Sequence, residues 1–174
     1  RCCAMLTFHT PSPSDRAAVL AYRSEVLRCR ADFDGSAGLG EFERYSEWLE
    51  RLRILSGGRA EKYGFYRTAV RLAYDGGILA GILNVRLTDD PFIRTYAGHI
   101  GYNVRPSCRR KGYGRACAAQ GVCICAEHGI AEPVICTDPE NSASRRTAES
   151  AGFAFAGTET TETGITVARY VYAK

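Results

Sequence analysis

The sequence predicts a mixed α/β fold in one domain, and three features carry that prediction. A hairpin is written around Asp75-Gly76-Gly77, with apolar residues alternating on either side. Helical periodicity runs through "EFERYSEWLERLRIL", where Phe42, Tyr45, Trp48 (or Leu49), Leu52 and Leu55 fall three and four apart. The other segments interleave strand-like and helix-like patterns, with no repeat, low-complexity tract or composition break to mark a second unit.

Taken in order, Met5 to Thr10 alternates apolar and polar residues and reads as a short strand. A helix follows, capped by Ser12 or Ser14, with Ala18, Leu20, Val26 and Leu27 as a mixed apolar stripe. The glycine-rich stretch from Asp34 to Gly40 breaks it, and the amphipathic helix from Glu41 to Leu55 comes next. After the "SGGRAEKYG" loop, Val70, Leu72 and Tyr74 enter the hairpin turn, and Ile78 to Val85 return from it. "DDPFIRTYA" is a loop. Gly98 to Val104 reads as a strand whose ladder stops at Arg105-Pro106. Gly112 to His128 reads as a helix, Pro133 to Cys136 as a short buried strand and Asn141 to Ser150 as a helix. "GFAFAGTE" and "GITVARYVYA" close the chain as strands, which gives the order β-α-α-β-β-β-α-β-α-β-β.

A 45% hydrophobic and 24% charged chain buries a real core, which excludes wholesale disorder. The formal charge of +4 is too small to argue for nucleic-acid binding, so the clustered basic residues point instead to a local anion site. No apolar run is long enough to span a bilayer, and no secretory signal is visible. A cytoplasmic protein without membrane or nucleic-acid partners is therefore expected. The eight cysteines form no Cys-x-x-Cys pair, so no zinc site is expected, and they read as reduced core residues. The chain opens on Arg1 rather than methionine. Residues 1–4 are expected to be a tag or a disordered N-terminus, and residues 5–174 the domain.

The informative stretch is "HIGYNVRPSCRRKGYGRACAAQGVCICAEHG", His99 to Gly129. Pro106 ends the strand, and "SCRRKGYG" turns the chain into a helix. The first amides of a helix lack partners within it, and the helix dipole adds positive character there. Gly112 and Gly114 let a bulky anion approach the backbone, while Arg109, Arg110 and Lys111 add full charges. The junction suits a dianion such as a pyrophosphate. It has neither the spacing of a P-loop nor the third glycine of a dinucleotide-binding turn.

"RRKGYG" resembles the Arg/Gln-x-x-Gly-x-Gly/Ala signature of the GNAT (Gcn5-related N-acetyltransferase) family, with Arg109, Gly112 and Gly114 in the signature places. "NSASRRTAESAGF" is similar to that family's Asn-x-x-Ala-x-x-x-Tyr-x-x-x-Gly-Phe segment through Asn141, Gly152 and Phe153. Ser144 stands where Ala is usual, and Ala148 where the Tyr is expected. The element order is also similar, so the resemblance covers most of the chain, and it is nearest to bacterial predicted acetyltransferases of unassigned substrate.

The resemblance implies a central, mixed, mostly antiparallel sheet with helices on both faces and a V-shaped split between the fourth and fifth strands. Acetyl-CoA would lie in that split as co-substrate, with no metal. Its pantetheine arm would pair with backbone around Asn103 and Val104, and Arg109, Arg110, Lys111, Gly112, Tyr113, Gly114 and Arg115 would cradle the pyrophosphate. Asn141 would touch the arm or a water, or cap its helix. An amine acceptor needs a base, for which His99, Tyr102, Glu41 and Glu43 are the candidates. A substitution of His99 by Gln would then slow turnover. Ala148 cannot protonate the departing thiolate, which leaves Ser144 or water. The reaction implied is transfer of acetyl from the CoA thioester to a primary amine of a small molecule or protein, by direct attack in a ternary complex. The alternative is a non-catalytic acyl-CoA sensor. A homodimer is an open expectation. Asp32, Asp34, Glu41, Glu43, Glu47 and Glu50 would suit a cationic acceptor.

Overall fold

The computed structural model describes residues 6–172. The expected strand start at Met5, the four residues before it, Cys2, Cys3 and the last two residues lie outside them. Seven strands and four helices follow in the anticipated order. Strand β1 (Thr7–His9) leads into a 3-10 turn at Pro13–Asp15 and helix α1 (Arg16–Arg28). Ser12 closes that turn, because its main-chain N–H donates to the Asp15 carboxylate at 2.8 Å. The buried face of α1 is Val19, Tyr22, Glu25 and Val26, while Leu27 is half exposed. Of the expected stripe, Val26 is buried and Ala18 and Leu20 pack at the edge of the core, whereas Leu27 turns to solvent and Val19 and Tyr22 take the inner face.

Helix α2 (Tyr45–Ser56) starts four residues later than its periodicity suggests, because Leu39–Glu41 winds into a separate 3-10 turn. Its buried residues are Tyr45, Trp48, Leu49 and Leu52, the stripe read from the sequence. Strands β2 (Thr68–Asp75) and β3 (Ile78–Arg86) form the hairpin, with a register shift at Ala73/Tyr74. The segment read as a loop before β4 carries a π-helical turn at Ile93–Ala97. Then come β4 (Ile100–Val104), α3 (Tyr113–Glu127), β5 (Val134–Thr137), α4 (Ser142–Ser150), β6 (Phe153–Thr160) and β7 (Thr166–Tyr172).

Every ladder among the described residues is antiparallel, and the strands form two sheets, β1-β2-β3-β4 and β5-β7-β6. One apolar cluster lies between the sheets and α3 and α4, built on Leu83, Val85, Ile100, Cys117, Ile124, Ile135, Phe153 and Tyr170. A second fills the opposite face of the first sheet under α1 and α2, around Tyr22, Trp48, Leu72 and Ile82. Helices therefore cover both faces, as anticipated. Cys117 and Cys125 are buried apolar side chains, and burial pushes each thiol up to about 12. Of the six cysteines described, none is in a disulfide.

Candidate active site

The two sheets meet at one point and part from there. His99 N–H donates to Val134 O at 2.7 Å, and Val134 N–H donates to His99 Nδ1 at 3.1 Å. Beyond that contact no ladder joins β4 to β5. Gly98 makes the junction possible. Its φ is +70°, and a Cβ there would sit 2.7 Å from Cys136 N. The result is a wedge with its vertex at His99 and its mouth past Val104 and Thr137.

His99 is fully buried at this vertex. Its proton-accepting nitrogen already takes the Val134 amide, so the other, Nε2, carries the proton and faces Asp89 Oδ1 at 3.4 Å. Burial holds the imidazole below its usual range, against the pull of Asp89. With no free lone pair, His99 is placed as a pin rather than as the base expected from its sequence position.

One edge of β4 lines the wedge. Arg86 N–H donates to His99 O at 2.8 Å and Arg105 N–H to Ala80 O at 2.9 Å, so the odd-numbered residues face β3. Ladder alternation turns the main-chain groups of Tyr102 and Val104 into the wedge. The expected contact at Val104 is thus on the open edge, whereas the main chain of Asn103 points to β3. Arg109 folds back across that edge and donates through Nε to Val104 O at 3.2 Å.

The mouth is closed on one side by the junction to α3. Arg109, Arg110, Lys111 and Arg115 are exposed. Arg110 and Gly112 both adopt positive φ, at 64° and 85°, which curls the segment. Among the described residues, the amides from Arg110 to Arg115 donate to no protein acceptor; the first helical bond is Ala116 N–H to Gly112 O. Six successive N–H groups therefore stand free at a helix N-terminus. The side chain of Tyr113 is spent elsewhere: its hydroxyl donates to Asp75 in the hairpin turn, and the phenol is pushed up to about 12. Gly114 permits close packing, since a Cβ there would lie 3.0 Å from Thr147 Cγ2 and 3.4 Å from Tyr102 Cε2.

Helix α4 borders the mouth from beyond β5. Asn141 caps it, with Oδ1 accepting from Ser144 N–H at 3.0 Å. Tyr102 reaches across from β4, and its hydroxyl donates to Ser144 O at 3.5 Å. Burial raises that phenol, against hydrogen bonds from Ser144 and Thr147, so it stays protonated near neutral pH and is no base. The structure thus brings Tyr102 and Ser144 together and leaves His99 apart. Ala148 is fully buried in the core cluster.

The opposite wall is the segment 31–38, which holds Asp32, Asp34 and the first half of the glycine-rich break. Gly35 presses on β4 so closely that a Cβ would fall 2.3 Å from Tyr102 O. Asn84 Nδ2 donates to Gly35 O at 2.6 Å, and Asn103 Nδ2 donates to Asp34 O at 2.9 Å and Asp32 O at 3.2 Å. The Asp34 carboxyl is raised, first by burial and then by Asp32 and Asp138 across the mouth. Glu41 pairs loosely with Arg51 at 3.9 Å and lies against Gly38 at the end of this wall, while Glu43 lines a cavity between α1 and α2. Buried asparagines on neighbouring strands were the signal for this wall, yet nothing local ties them to a loop 49 to 71 positions away.

Among the described residues no group of three or more His, Cys, Asp or Glu side chains is arranged to hold a metal, and no helix is long and apolar enough to cross a membrane. Residues 5–154 match the family model described as an acetyltransferase (GNAT) domain. A search of curated proteins finds no match. Among solved structures the chain resembles Mycobacterium smegmatis RimJ in complex with CoA-disulfide, at 19% identity and a TM-score of 0.69, over 95% of this chain and 80% of that one. It also resembles the microcin C7 self-immunity acetyltransferase MccE in complex with acetyl-CoA and AMP, at 15% identity and a TM-score of 0.69, over 97% and 92%. A third similar structure is AAC(6')-Ib in complex with ribostamycin and coenzyme A, at 17% identity and a TM-score of 0.66, over 97% and 93%. At these identities the likeness is one of fold.

Proposed function

Because the chain belongs to the GNAT acetyltransferase family, we propose that it transfers the acetyl group of acetyl-CoA to a primary amine by direct attack within the wedge. The observation that carries this reading is the run of six free amides from Arg110 to Arg115 at the N-terminus of α3. Their positive character suits a pyrophosphate, with exposed Arg109, Arg110, Lys111 and Arg115 around them. Tyr102 and Val104 offer the open β4 edge to the pantetheine amides, as a sheet edge accepts an added strand. Arg109 gives up Val104 O when that happens. The exposed amide group of Asn141 is free to meet the same arm, while its oxygen caps α4.

The thioester supplies an activated acetyl group; the chain's own residues supply position and proton traffic. Holding the amine at the mouth of the wedge lowers the barrier by several kcal/mol through orientation alone, roughly within the range known for preorganised reactants. An outward N–H of Tyr102 or Val104 meets the carbonyl oxygen as it gains charge. Tyr102, kept neutral beside Ser144, gives its hydroxyl proton toward the leaving sulfur, which replaces what Ala148 cannot do. Asp34, with its raised carboxyl, is the best-placed group to take the amine proton, directly or through water. The acids at this wall support a cationic acceptor.

Thiol release from acetyl-CoA against a panel of primary amines tests the reading. We expect release with at least one cationic amine, and an Asp34→Asn variant that binds acetyl-CoA normally but turns over at least about tenfold more slowly. Tight acetyl-CoA binding with no release on any amine contradicts transfer and favours a sensor.

A further inference from the structure

Two side chains of α1, one helical turn apart, reach β4 through buried polar contacts, and each leads to a different wall of the wedge. Tyr22 OH donates to Asn103 Oδ1 at 2.5 Å, and the amide nitrogen of Asn103 holds the carbonyls of Asp32 and Asp34. Three residues further on, the Glu25 carboxylate accepts from Arg105 Nε at 2.6 Å and from Ser107 N–H at 2.7 Å. Tyr22, Asn103 and Glu25 are 0%, 4% and 6% exposed, so these contacts sit away from solvent. The i, i+3 spacing on the helix matches the i, i+2 spacing of Asn103 in β4 and Arg105 just past its end.

The first contact ends at the segment 31–38, beside Tyr102. The second ends at Ser107, three residues before the first free amide of the cradle at Arg110. Burial alone would raise the Glu25 carboxyl; the hydrogen bonds from Arg105 and Ser107 overcome it and hold the group at about 2. A buried ion pair adds little net stability over an apolar pair of the same shape, but it admits few alternative arrangements. Fixing geometry is therefore the better account of its presence.

We propose that α1 sets the two walls separately: Tyr22, through Asn103, positions the acceptor wall, and Glu25, through Ser107, positions the coenzyme A cradle. Tyr22 and Glu25 are positioning residues, since each acts through another group. The inference deepens the reading of residues 109–115 as the cradle and rests on it.

The test titrates coenzyme A calorimetrically into the full chain and follows hydrogen exchange in peptides covering 31–38 and 105–116. Glu25→Gln should weaken coenzyme A about tenfold, the scale of a lost charge-assisted hydrogen bond, and leave exchange in 31–38 unchanged. Tyr22→Phe should do the reverse: faster exchange in 31–38, with coenzyme A affinity within about twofold of the parent. Should Glu25→Gln not fold, Arg105→Lys keeps the neighbouring charge and should weaken coenzyme A in the same direction by less. Variants that alter both readouts alike, or neither, would overturn the inference. A parent chain that binds no coenzyme A would instead overturn the cradle. A parent that binds it, with an equally tight Glu25→Gln, would sink only this inference.

Discussion

The two ends of the wedge between β4 and β5 are made from the same strands and behave in opposite ways. At the vertex the strands hold each other: His99 and Val134 exchange two hydrogen bonds, one of them through the His99 ring, and Gly98 packs against Cys136. At the mouth, the outward groups of Tyr102 and the amides of residues 110–115 have none from the protein. Backbone donors need partners wherever water is excluded. A strand pair that closes spends them on itself; one that parts leaves them for a ligand. Under the proposed function, the mouth recognises its ligand largely through main chain.

The sharpest way to break this contrast is at the vertex. Gly98→Val places a branched side chain at a φ of +70° and against the β5 backbone, and should cost about 3 kcal/mol or more in urea unfolding. An unchanged midpoint would mean that the vertex is not tightly closed. At the mouth the same kind of change should spare the fold. A Cβ at Gly112 meets nothing within 4 Å, so Gly112→Asp should fold with a loss of roughly 1–2 kcal/mol from its positive φ. Its carboxylate should weaken acetyl-CoA about fiftyfold or more by repelling the phosphates, as read by calorimetry.

His99→Gln sharpens the comparison further. If His99 is a pin, the variant loses about 1–2 kcal/mol of stability while turnover per folded molecule is unchanged. The pH dependence follows from burial, which holds the imidazole below its usual range. As pH falls below about 6.5 the unfolded chain takes up a proton that the native chain resists. Stability present above that pH is therefore lost on acidification, and His99→Gln should flatten this loss. A slower turnover at constant stability would return His99 to the role of base. The smallest effect belongs to Tyr102→Phe, which keeps the ring packing and should lower kcat about threefold to tenfold with KM for acetyl-CoA unchanged.

The mouth was more legible in the sequence than the walls that hold it. The cradle is one contiguous stretch of backbone, so Pro106, the basic run and the glycines announce it without any knowledge of the fold. The side chain of Tyr113 serves the hairpin turn through Asp75, a pairing across 38 positions that nothing local announces. His99 was read by its chemistry, because a titratable ring on a strand looks like a base until the partner strand supplies the amide that occupies it. The acceptor wall depends on Asn103 meeting Asp34 across 69 positions, and on Tyr22 meeting Asn103 across 81. Such pairings follow from the docking of α1 on β4, and periodicity does not encode them. The same docking explains why Val19 and Tyr22 face inward and Leu27 does not.

Amide-resolved hydrogen exchange with and without acetyl-CoA tests the central claim most directly. The N–H groups of residues 110–115, with an outward group of Tyr102 or Val104, should slow strongly on binding, while those at His99 and Val134 should already be protected and stay unchanged. Acetyl-CoA that binds tightly yet leaves residues 110–115 exchanging as before would contradict the account.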